Sequence, residues 1–335
     1  MQPFALIRPQ TLTTARRRVQ ERPDERVFRA GGVDLMDRMK EGLDAPAELV
    51  ELAAVQDEAG QRMRALAAGA QGGFNIGALV TLAQLEGFAD LDGGYKALRE
   101  AAGSAATPGI RTMATVGGNL LQRPRCWYFR SADLQCLKKG GSSCLAVAGE
   151  NKYHAIFGGG PSFIVHPSTL ACALLALDAS VGIMGDAART IPISELFVGP
   201  KVDPKREHSL AVGEVLVQVM LPPAPAGRRS TYAAVKEKQS HDWPLAEVAV
   251  SLSLEAGVIK DVRVVFGHVA PVPWRSPEAE AALTGKAPDA ALFASAAAAA
   301  LAQAKPLKHN AYKIPLAQGL LREALHRATD VPLPE

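Results

Sequence analysis

The sequence lacks the features that would place it at once in several large classes of protein. None of its apolar runs approaches the about eighteen residues that a membrane helix needs, and residues 1–9 lack the charged and then apolar order of a secretory signal. The formal net charge is only +3 and no long basic run is present, so nucleic acid is not an expected partner. We expect a chain that stays in the cytoplasm unless a partner with its own signal carries it to the periplasm.

Several site motifs are missing as well. There is neither a G-x-G-x-x-G nor a G-x-x-x-x-G-K-[ST] pattern, so a Rossmann dinucleotide site and a P-loop have no support. No Ser-His-Asp arrangement and no His-x-x-x-His pair points to hydrolysis. With 335 residues, 48% of them apolar and 21% charged, the chain has the composition of a globular protein and room for two domains.

Cysteine is scarce and unevenly distributed. Of the four cysteines, Cys126, Cys136 and Cys144 fall within nineteen residues, whereas Cys172 lies in an apolar run that predicts a buried helix. In an intracellular chain such clustering favours a metal or catalytic site over disulfides. The short C-x2–4-C pairs of structural zinc sites are missing. We expect the surrounding arginines and lysines to lower the pKa of the thiols, which favours an iron–sulfur cluster.

Two glycine pairs stand in similar surroundings about 85 residues apart. Gly31-Gly32 follows a short β-like run and opens an amphipathic helix, a unit whose free N–H groups favour phosphate. Gly117-Gly118 lies between Thr115 and Asn119, and Cys126 comes seven residues after Asn119. Two such turns could hold one diphosphate from two sides without a lysine or a metal, which suggests a flavin nucleotide.

The pattern of apolar residues predicts mixed helices and strands with a linker at 222–229. Before the linker, helices are expected at 11–21, 81–89 and 95–106, and strands at 48–52, 163–166, 181–184 and 215–221. After it, residues 248–254 alternate strictly, turn at Ala256-Gly257 and return through 261–266, which predicts a hairpin with one polar face. The last helices are expected at 276–284, 290–304 and 315–327.

In this order, the segments resemble the FAD-binding (medium) subunits of the xanthine dehydrogenase, carbon monoxide dehydrogenase and aldehyde oxidoreductase family. The resemblance covers essentially the whole chain. It favours the bacterial aldehyde oxidoreductase branch, whose medium subunit carries an extra [4Fe–4S] cluster after the second glycine turn. The segments that carry it are Ala30-Gly-Gly-Val-Asp-Leu35, Ile76-Gly-Ala78, Ile110-Arg111, Thr115-Val-Gly-Gly-Asn119, His166-Pro-Ser168, Leu174–Ala179 and Lys236–Leu245.

The fold that the resemblance implies is α+β, with a two-lobed FAD-binding domain of the PCMH (vanillyl-alcohol-oxidase-like) type followed by a smaller α+β C-terminal domain. We place the first domain at 1–222, with a cysteine-containing loop at about 123–165, and the second, of the CO dehydrogenase flavoprotein type, at 229–330. The residues that the resemblance assigns to FAD are Ala30, Gly31, Gly32, Val33, Asp34, Leu35, Ile76, Gly77, Ile110, Thr115, Gly117, Gly118, Asn119, Asp178, Lys236 and His241.

For the cysteine loop the resemblance implies a [4Fe–4S] cluster. Its ligands would be Cys126, Cys136 and Cys144, with Ser162 at the position that aligns with the family's fourth cysteine. Serine is a poor but known kind of ligand, and His154 or His166 could supply the fourth bond instead. A three-iron cluster, or a loop that keeps its cysteines without a cluster, are further alternatives.

The function implied is that of an electron-transfer flavoprotein subunit with no catalytic residue of its own. A large molybdopterin-binding partner would hydroxylate the substrate, and a small partner with [2Fe–2S] clusters would pass the electrons to FAD in this chain. An external acceptor would then take them from this heterotrimer or its dimer. Two alternatives stay open: a free-standing FAD-dependent oxidoreductase, and a cofactor-free assembly subunit, which departures from the family pattern at Val33, Thr169 and Ala234 would suit.

Overall fold

The computed structural model describes residues 1–237 and 241–333. The strands are β1 Ala5–Ile7, β2 Arg26–Arg29, β3 Glu48–Glu51, β4 Leu66–Ala68, β5 Phe74–Gly77, β6 Ser180–Met184, β7 Ala188–Pro192, β8 Val215–Leu221, β9 Arg228–Val235, β10 Ala246–Glu255, β11 Val258–Gly267 and β12 Trp274–Arg275. The α-helices are α1 Leu12–Glu21, α2 Val33–Lys40, α3 Glu58–Arg64, α4 Leu82–Gly87, α5 Lys96–Ser104, α6 Pro108–Arg111, α7 Val116–Leu120, α8 Trp127–Arg130, α9 Thr169–Ala176, α10 Pro277–Leu283, α11 Ala290–Leu301 and α12 Lys313–Thr329. Among the helices described, none has the length and apolar character required to cross a membrane.

The first lobe is built on a three-stranded parallel sheet in the order β1-β3-β2. Helix α1 begins after Thr11, whose hydroxyl accepts a hydrogen bond from the Thr14 N–H. Its Leu12, Ala15 and Val19 join the core of this lobe. The predicted strand–glycine–helix unit is confirmed, because β2 runs through the first glycine pair directly into α2.

The second lobe is a five-stranded antiparallel sheet in the order β4-β5-β8-β6-β7. Thr81 and Gln84 form a capping box that fixes the start of α4. Helix α9 is buried almost all round, and the Cys172 thiol within it donates to the carbonyl oxygen of Val265 at 3.1 Å. The prediction that Cys172 is a core residue is confirmed.

The C-terminal part is a four-stranded antiparallel sheet in the order β12-β11-β10-β9, with α10, α11 and α12 packed in one core with it. The predicted hairpin is confirmed: β10 and β11 pair through a turn at Ala256 and Gly257, whose φ angles are 49° and 77°. On β10 the polar face of the hairpin is buried, with Glu247, Ser251 and Ser253 in it, whereas Asp261 on β11 stays exposed. The reason is that α5 and α9 of the second lobe contact β10.

One predicted strand, at 163–166, is not found among the described residues. Isolated backbone hydrogen bonds hold this segment, from the Ala155 N–H to Phe163 and from the His166 N–H to Ala270, and no ladder forms. A short apolar run can be buried without a strand partner, and its composition alone does not distinguish the two cases.

Candidate functional site

A cavity of about 400 Å³ lies where the two lobes meet residues that follow β9 and precede β10, and both glycine turns line it. The sequence-predicted residues in its wall are Ala30, Gly31, Gly32, Val33, Asp34, Leu35, Ile110, Thr115, Gly117, Gly118, Asn119, Lys236 and His241. Residues 238–240, which fall in the predicted segment 236–245, lie outside the described residues. The fold therefore brings together, around one space of the size of a ligand site, segments that are distant in sequence.

The two turns approach each other at Gly31. A Cβ atom at this position would lie 1.9 Å from the carbonyl oxygen of Met113, so the approach requires glycine. Gly32 follows with a φ of 77°, in the left-handed region, and is the N-cap of α2. Within the described residues, the backbone N–H groups of Gly31, Gly32, Val33 and Asp34 have no hydrogen-bond partner. Free N–H groups at a helix start fit an anion such as a diphosphate.

Both glycine turns were expected to offer free N–H groups to a diphosphate, but the second turn does not. Its Gly117 N–H is bonded to a carbonyl oxygen of the loop before α4, and its Gly118 N–H donates to the hydroxyl of Thr115. The Asn119 side chain is engaged too, because its Oδ1 accepts a hydrogen bond of 2.6 Å from the hydroxyl of Ser168. The glycine N–H groups of this turn are already used, so it shapes the cavity wall while the first turn offers the free donors.

Asp34 is surrounded by basic groups below the first turn. Its carboxylate contacts Arg130 at 2.6 Å, Arg125 at 3.1 Å and Arg38 at 3.3 Å, and accepts the backbone N–H of Arg123 at 3.1 Å. Burial raises the pKa of Asp34, but the three guanidinium groups outweigh burial and hold the pKa below its ordinary value. Its negative charge is thereby offset next to the free N–H groups, where an anionic cofactor would otherwise be repelled.

Three of the residues assigned to FAD by resemblance do not line the cavity. Ile76 is buried in the core of the second lobe, and Gly77 lies against the backbone of Met63, whose carbonyl oxygen would be 2.2 Å from an added Cβ. Asp178 follows α9 with a φ of 52° and pairs with Arg263 on β11 at 3.1 Å. Each is held by packing or by an ion pair elsewhere in the fold.

Some cavity residues were not predicted from the sequence. The end of α5 and the loop after it contribute Ser104, Ala105 and Ala106, small residues that give no signal in the sequence. Thr169 lines the cavity with a buried hydroxyl that has no hydrogen-bond partner in the described part of the chain. Trp243 also lies in the wall, and it could have been predicted because it belongs to the segment 236–245 that carries the family resemblance.

The cysteine segment, residues 123–165, contacts α2 through the ion pairs of its Arg125 and Arg130 with Asp34. Its thiols at Cys126, Cys136 and Cys144 are close enough to interact electrostatically. The Cys126 Sγ lies 3.2 Å from Nε2 of His154, whose ring is buried and whose Nδ1 has no partner among the described residues. Across residues 1–237 and 241–333, no group of three or more His, Cys, Asp or Glu side chains is arranged to hold a metal ion.

Burial dominates the pKa of Cys126. It raises the pKa of this thiol to about 11, the backbone N–H groups of Phe129 and Tyr128 oppose the rise, and the two other thiols of the segment add to it. The prediction that the basic loop lowers the pKa is therefore wrong for Cys126. The basic side chains pair with acids instead: Arg125 with Asp34 and Asp37, Arg130 with Asp34 and Glu41, and both Arg123 and Lys138 with Glu207.

The alternatives for a fourth cluster ligand have different surroundings. His154 is in contact with a cysteine sulfur. The His166 ring packs edge-on against Phe197, with 4.7 Å between ring centroids. Ser162 is buried, at 1% exposure. The contact with Cys126 distinguishes His154 from the others.

Two family models match the chain. One is described as the FAD binding domain in molybdopterin dehydrogenase and matches residues 2–224, and the other is described as the CO dehydrogenase flavoprotein C-terminal domain and matches residues 230–328. The first match ends in the connection between β8 and β9.

Named relatives are similar over most of the chain. The aldehyde oxidoreductase FAD-binding subunit PaoB of Escherichia coli (strain K12) is 34% identical over 307 residues, which cover 90% of this chain and 91% of PaoB. The carbon monoxide dehydrogenase medium chain of Afipia carboxidovorans is 26% identical over 304 residues, which cover 89% of this chain and 87% of that medium chain.

Solved structures share the fold. A chain of carbon monoxide dehydrogenase from Hydrogenophaga pseudoflava, in a form that lacks the Mo-pyranopterin moiety of its cofactor, superposes with a TM-score of 0.75 at 24% identity over 98% of both chains. A chain of quinoline 2-oxidoreductase from Pseudomonas putida 86 gives a TM-score of 0.73 at 20% identity, again over 98% of both. At such identities the likeness is one of fold.

Proposed function

Since the chain belongs to the family of FAD-binding subunits of molybdopterin dehydrogenases, we propose that it is the electron-transfer flavoprotein of a molybdenum hydroxylase complex. In this role it receives electrons from a small partner with [2Fe–2S] clusters and passes them to an external acceptor. A large molybdopterin-binding partner carries the substrate. Bound FAD supplies the redox chemistry, so this chain has to hold, orient and shield the cofactor and needs no catalytic acid or base.

The observation that carries the proposal is the cavity between the two glycine turns. The free N–H groups at the start of α2 are suited to a diphosphate, since the positive end of the helix dipole adds to their attraction. The flavin ring would then lie toward the part of the wall that Lys236, His241 and Trp243 form. The ring of Trp243 is held by the guanidinium of Arg125 at 4.8 Å from its centroid, which fixes this wall.

The domain division and the finer fold type belong to the same proposal. The FAD-binding domain of the PCMH type would span 1–222 and the C-terminal domain 229–330. Support comes from the element order, because β8 ends at Leu221 and β9 begins at Arg228. The C-terminal sheet also has a core of its own with α10, α11 and α12, although Tyr232, Ala249 and Val265 on its other face pack into the core of the second lobe.

The proposal is tested by mixing the FAD-loaded chain with partner subunits that have been chemically reduced and freed of reductant, without oxygen. The flavin bands of the chain should bleach on mixing, and the isolated chain should stay oxidised. No bleaching by reduced partners would overturn the electron-transfer role. Turnover of a substrate by the single chain would support a free-standing oxidoreductase, and failure to take up FAD would support a cofactor-free assembly subunit.

For the cysteine segment we propose an iron–sulfur cluster with Cys126, Cys136, Cys144 and His154 as ligands. Ligands of a four-iron cluster surround a cube and need not converge on one point as the ligands of a single ion do. The contact between Cys126 and His154 places an imidazole beside this segment, and the two groups would have to move apart for each to bind its own iron. Histidine replaces cysteine in some iron–sulfur centres. When bound, such a cluster supplies one-electron transfer close to the FAD cavity.

Iron and sulfide analysis of chain prepared without oxygen, with electron paramagnetic resonance after reduction, tests the cluster. The wild-type chain should hold about four irons, and His154→Ala should lose iron or change the resonance signal. Ser162→Ala is the matched control and should keep both. A wild-type chain without iron would contradict the proposed cluster. Loss of iron from Ser162→Ala but not from His154→Ala would indicate that Ser162 is the fourth ligand.

A further inference from the structure

A carboxyl group is buried just behind one wall of the cavity. Glu247, at the start of β10, is 0% exposed, and its Oε2 accepts a hydrogen bond of 2.5 Å from the hydroxyl of Tyr232. Its Oε1 lies 3.4 Å from Nδ1 of His268. Within the described residues, neither Oε1 nor either ring nitrogen of His268 has a hydrogen-bond partner. A buried carboxyl group with an unpaired oxygen is costly, so its presence calls for a reason.

The backbone around Glu247 is adapted to this group. A Cβ atom at Gly267 would lie 1.9 Å from Oε1 of Glu247, so the glycine leaves the space that the carboxyl group occupies. The next residue, His268, has a φ of 57°, which is uncommon and strained for a residue with a side chain. Two adjacent positions of the chain thus accommodate one carboxyl group.

The carboxyl group acts on a residue of the cavity wall. Glu247 on β10 pairs with Ala234 on β9, two positions before Lys236, so its side chain and that of Lys236 point to the same side of the sheet. Burial lowers the pKa of Lys236, and Glu247 and Asp242 oppose that shift, so Glu247 is also an electrostatic partner of this lysine. The Lys236 ammonium is held further by a hydrogen bond of 2.9 Å to the carbonyl oxygen of Ser104. Burial also raises the pKa of Tyr232 well above its ordinary value, and the neighbouring Glu247 adds to the rise.

A second wall residue is connected in the same way. The ring of Trp243 lies tilted at 6.2 Å from the ring of His268, centroid to centroid. The carbonyl oxygen of His268 in turn accepts a hydrogen bond of 2.7 Å from the buried ammonium of Lys313. Glu247 and His268 thus lie behind both Lys236 and Trp243, the wall against which the proposed function places the flavin ring.

We propose that Glu247 is a positioning residue that acts through Lys236 and sets the reduction potential of FAD bound in the cavity. The inference rests on the proposed function, because it needs FAD with its ring near Lys236. Two-electron reduction with uptake of one proton adds a negative charge to the flavin ring. The Lys236 ammonium favours that charge, and the nearby Glu247 carboxylate partly cancels the effect and keeps the potential lower.

The test is a spectroelectrochemical titration of the FAD-loaded full chain at one pH. Glu247→Gln keeps the shape of the side chain and removes its negative charge. At a fixed applied potential the ratio of reduced to oxidised flavin should therefore rise about tenfold, which corresponds to an increase of about 30 mV in the reduction potential of a two-electron couple. Lys236→Gln should shift the potential in the opposite direction. An unchanged potential in Glu247→Gln would overturn the inference.

Control variants separate an electrostatic role from a structural one. Glu280→Gln alters another buried glutamate of the same domain, which bonds to Arg275 and is not in the described cavity wall, and it should leave the potential unchanged. If Glu247→Gln does not fold, Tyr232→Phe takes its place. That variant removes the hydroxyl whose hydrogen bond offsets part of the carboxylate charge, so this charge acts more strongly on Lys236 and the potential should fall, and no shift would contradict the role of Glu247.

Failure of this inference and failure of the proposed function give different results. A folded wild-type chain that binds no FAD overturns both. A wild-type chain that binds FAD, together with an unaltered potential in Glu247→Gln, overturns only the role of Glu247. A shift of equal size in Glu280→Gln would mean that the potential follows general disturbance of the domain, which also overturns it.

Discussion

Gly31 is the residue at which one added methyl group should separate the two glycine turns. In Gly31→Ala the new Cβ would meet the carbonyl oxygen of Met113 at 1.9 Å, a contact that forces one of the turns to move. We expect at least about a tenfold loss of FAD affinity, on the order of 1.4 kcal/mol. The measurement is the dissociation constant of FAD by fluorescence titration of purified chain.

Gly109→Ala provides the matched comparison for this prediction. A Cβ at Gly109, in the short helix α6, would meet nothing within 4 Å, so the same chemical change should leave FAD affinity as it is. Equal affinity in both variants would mean that the first turn does not form the cofactor site.

For single residues, the sequence predicts backbone conformation and burial better than it predicts which side chains pair with each other. The glycine pairs and the core position of Cys172 follow from backbone geometry and from nearby apolar residues, and both were predictable. Asp34 was assigned to the cofactor, yet its shortest contact is with Arg130, which is 96 residues away in sequence. Such a pairing depends on how the cysteine segment returns to α2, and no local pattern encodes it.

Among the elements, helix α2 and the cysteine segment are held together by the carboxylate of Asp34. Asp34→Asn would leave the guanidinium groups of Arg125 and Arg130 without their shared partner. We expect a loss of about 2–4 kcal/mol in the free energy of unfolding, because these groups are largely buried. Urea unfolding at pH 7 measures it. Asp44→Asn removes a more exposed carboxylate that pairs with Arg38 at 3.1 Å, and should cost about 1 kcal/mol or less.

The same ion pairs predict a dependence on pH. The pKa of Asp34 is lowered from 3.8, so the stabilisation is fully present above pH 3.8 and is lost as the pH falls through the lowered value. The difference in stability between wild type and Asp34→Asn should therefore be constant from pH 7 to pH 5 and shrink below pH 3.8. A difference that stays constant down to pH 2 would show that Asp34 does not act as a charged partner.

For whole elements, the sequence predicts type and order better than surroundings. The strand–glycine–helix unit and the β10–β11 hairpin follow from their turn residues and from the period of their apolar positions. The polar face of the hairpin could not be read as buried, since the helices that cover it come from the other domain. The segment 163–166 shows the converse case, in which apolar residues are buried without a strand partner.

For the molecule as a whole, Lys313 joins three parts of the chain. It lies in α12 with 1% exposure, and its ammonium donates to the carbonyl oxygens of Tyr153 and His268 at 3.0 and 2.7 Å. Burial lowers its pKa from 10.5 to about 7. Between these values the unfolded chain binds a proton that the folded chain does not, so the free energy of unfolding rises with pH, by an amount on the order of 3–5 kcal/mol.

Lys313→Met should remove this rise, because methionine does not titrate. Urea unfolding between pH 7 and pH 10 measures the slope in both proteins. Lys260→Met, which changes an exposed lysine on β11, should keep the wild-type slope. An equal slope in wild type and Lys313→Met would mean that the Lys313 ammonium stays protonated in the folded chain through this range.

The arrangement of the whole molecule was predictable only through the combination of motifs. Each glycine turn alone is compatible with many folds, and the place where the turns meet depends on two lobes that enclose a cavity. The position of Glu247 behind that cavity depends on a third sheet. The wall at Lys236 and Trp243 belongs to the C-terminal part of the chain, so the site is complete only when both domains are folded.

The measurement that tests the central claim most directly is a titration of the purified 335-residue chain with FAD, followed by flavin fluorescence. The account predicts saturation at one FAD per chain, with much weaker binding of FMN, because FMN lacks the diphosphate that the first glycine turn is suited to hold. A folded chain that shows no saturable binding of FAD, or that binds FMN equally well, would contradict the account.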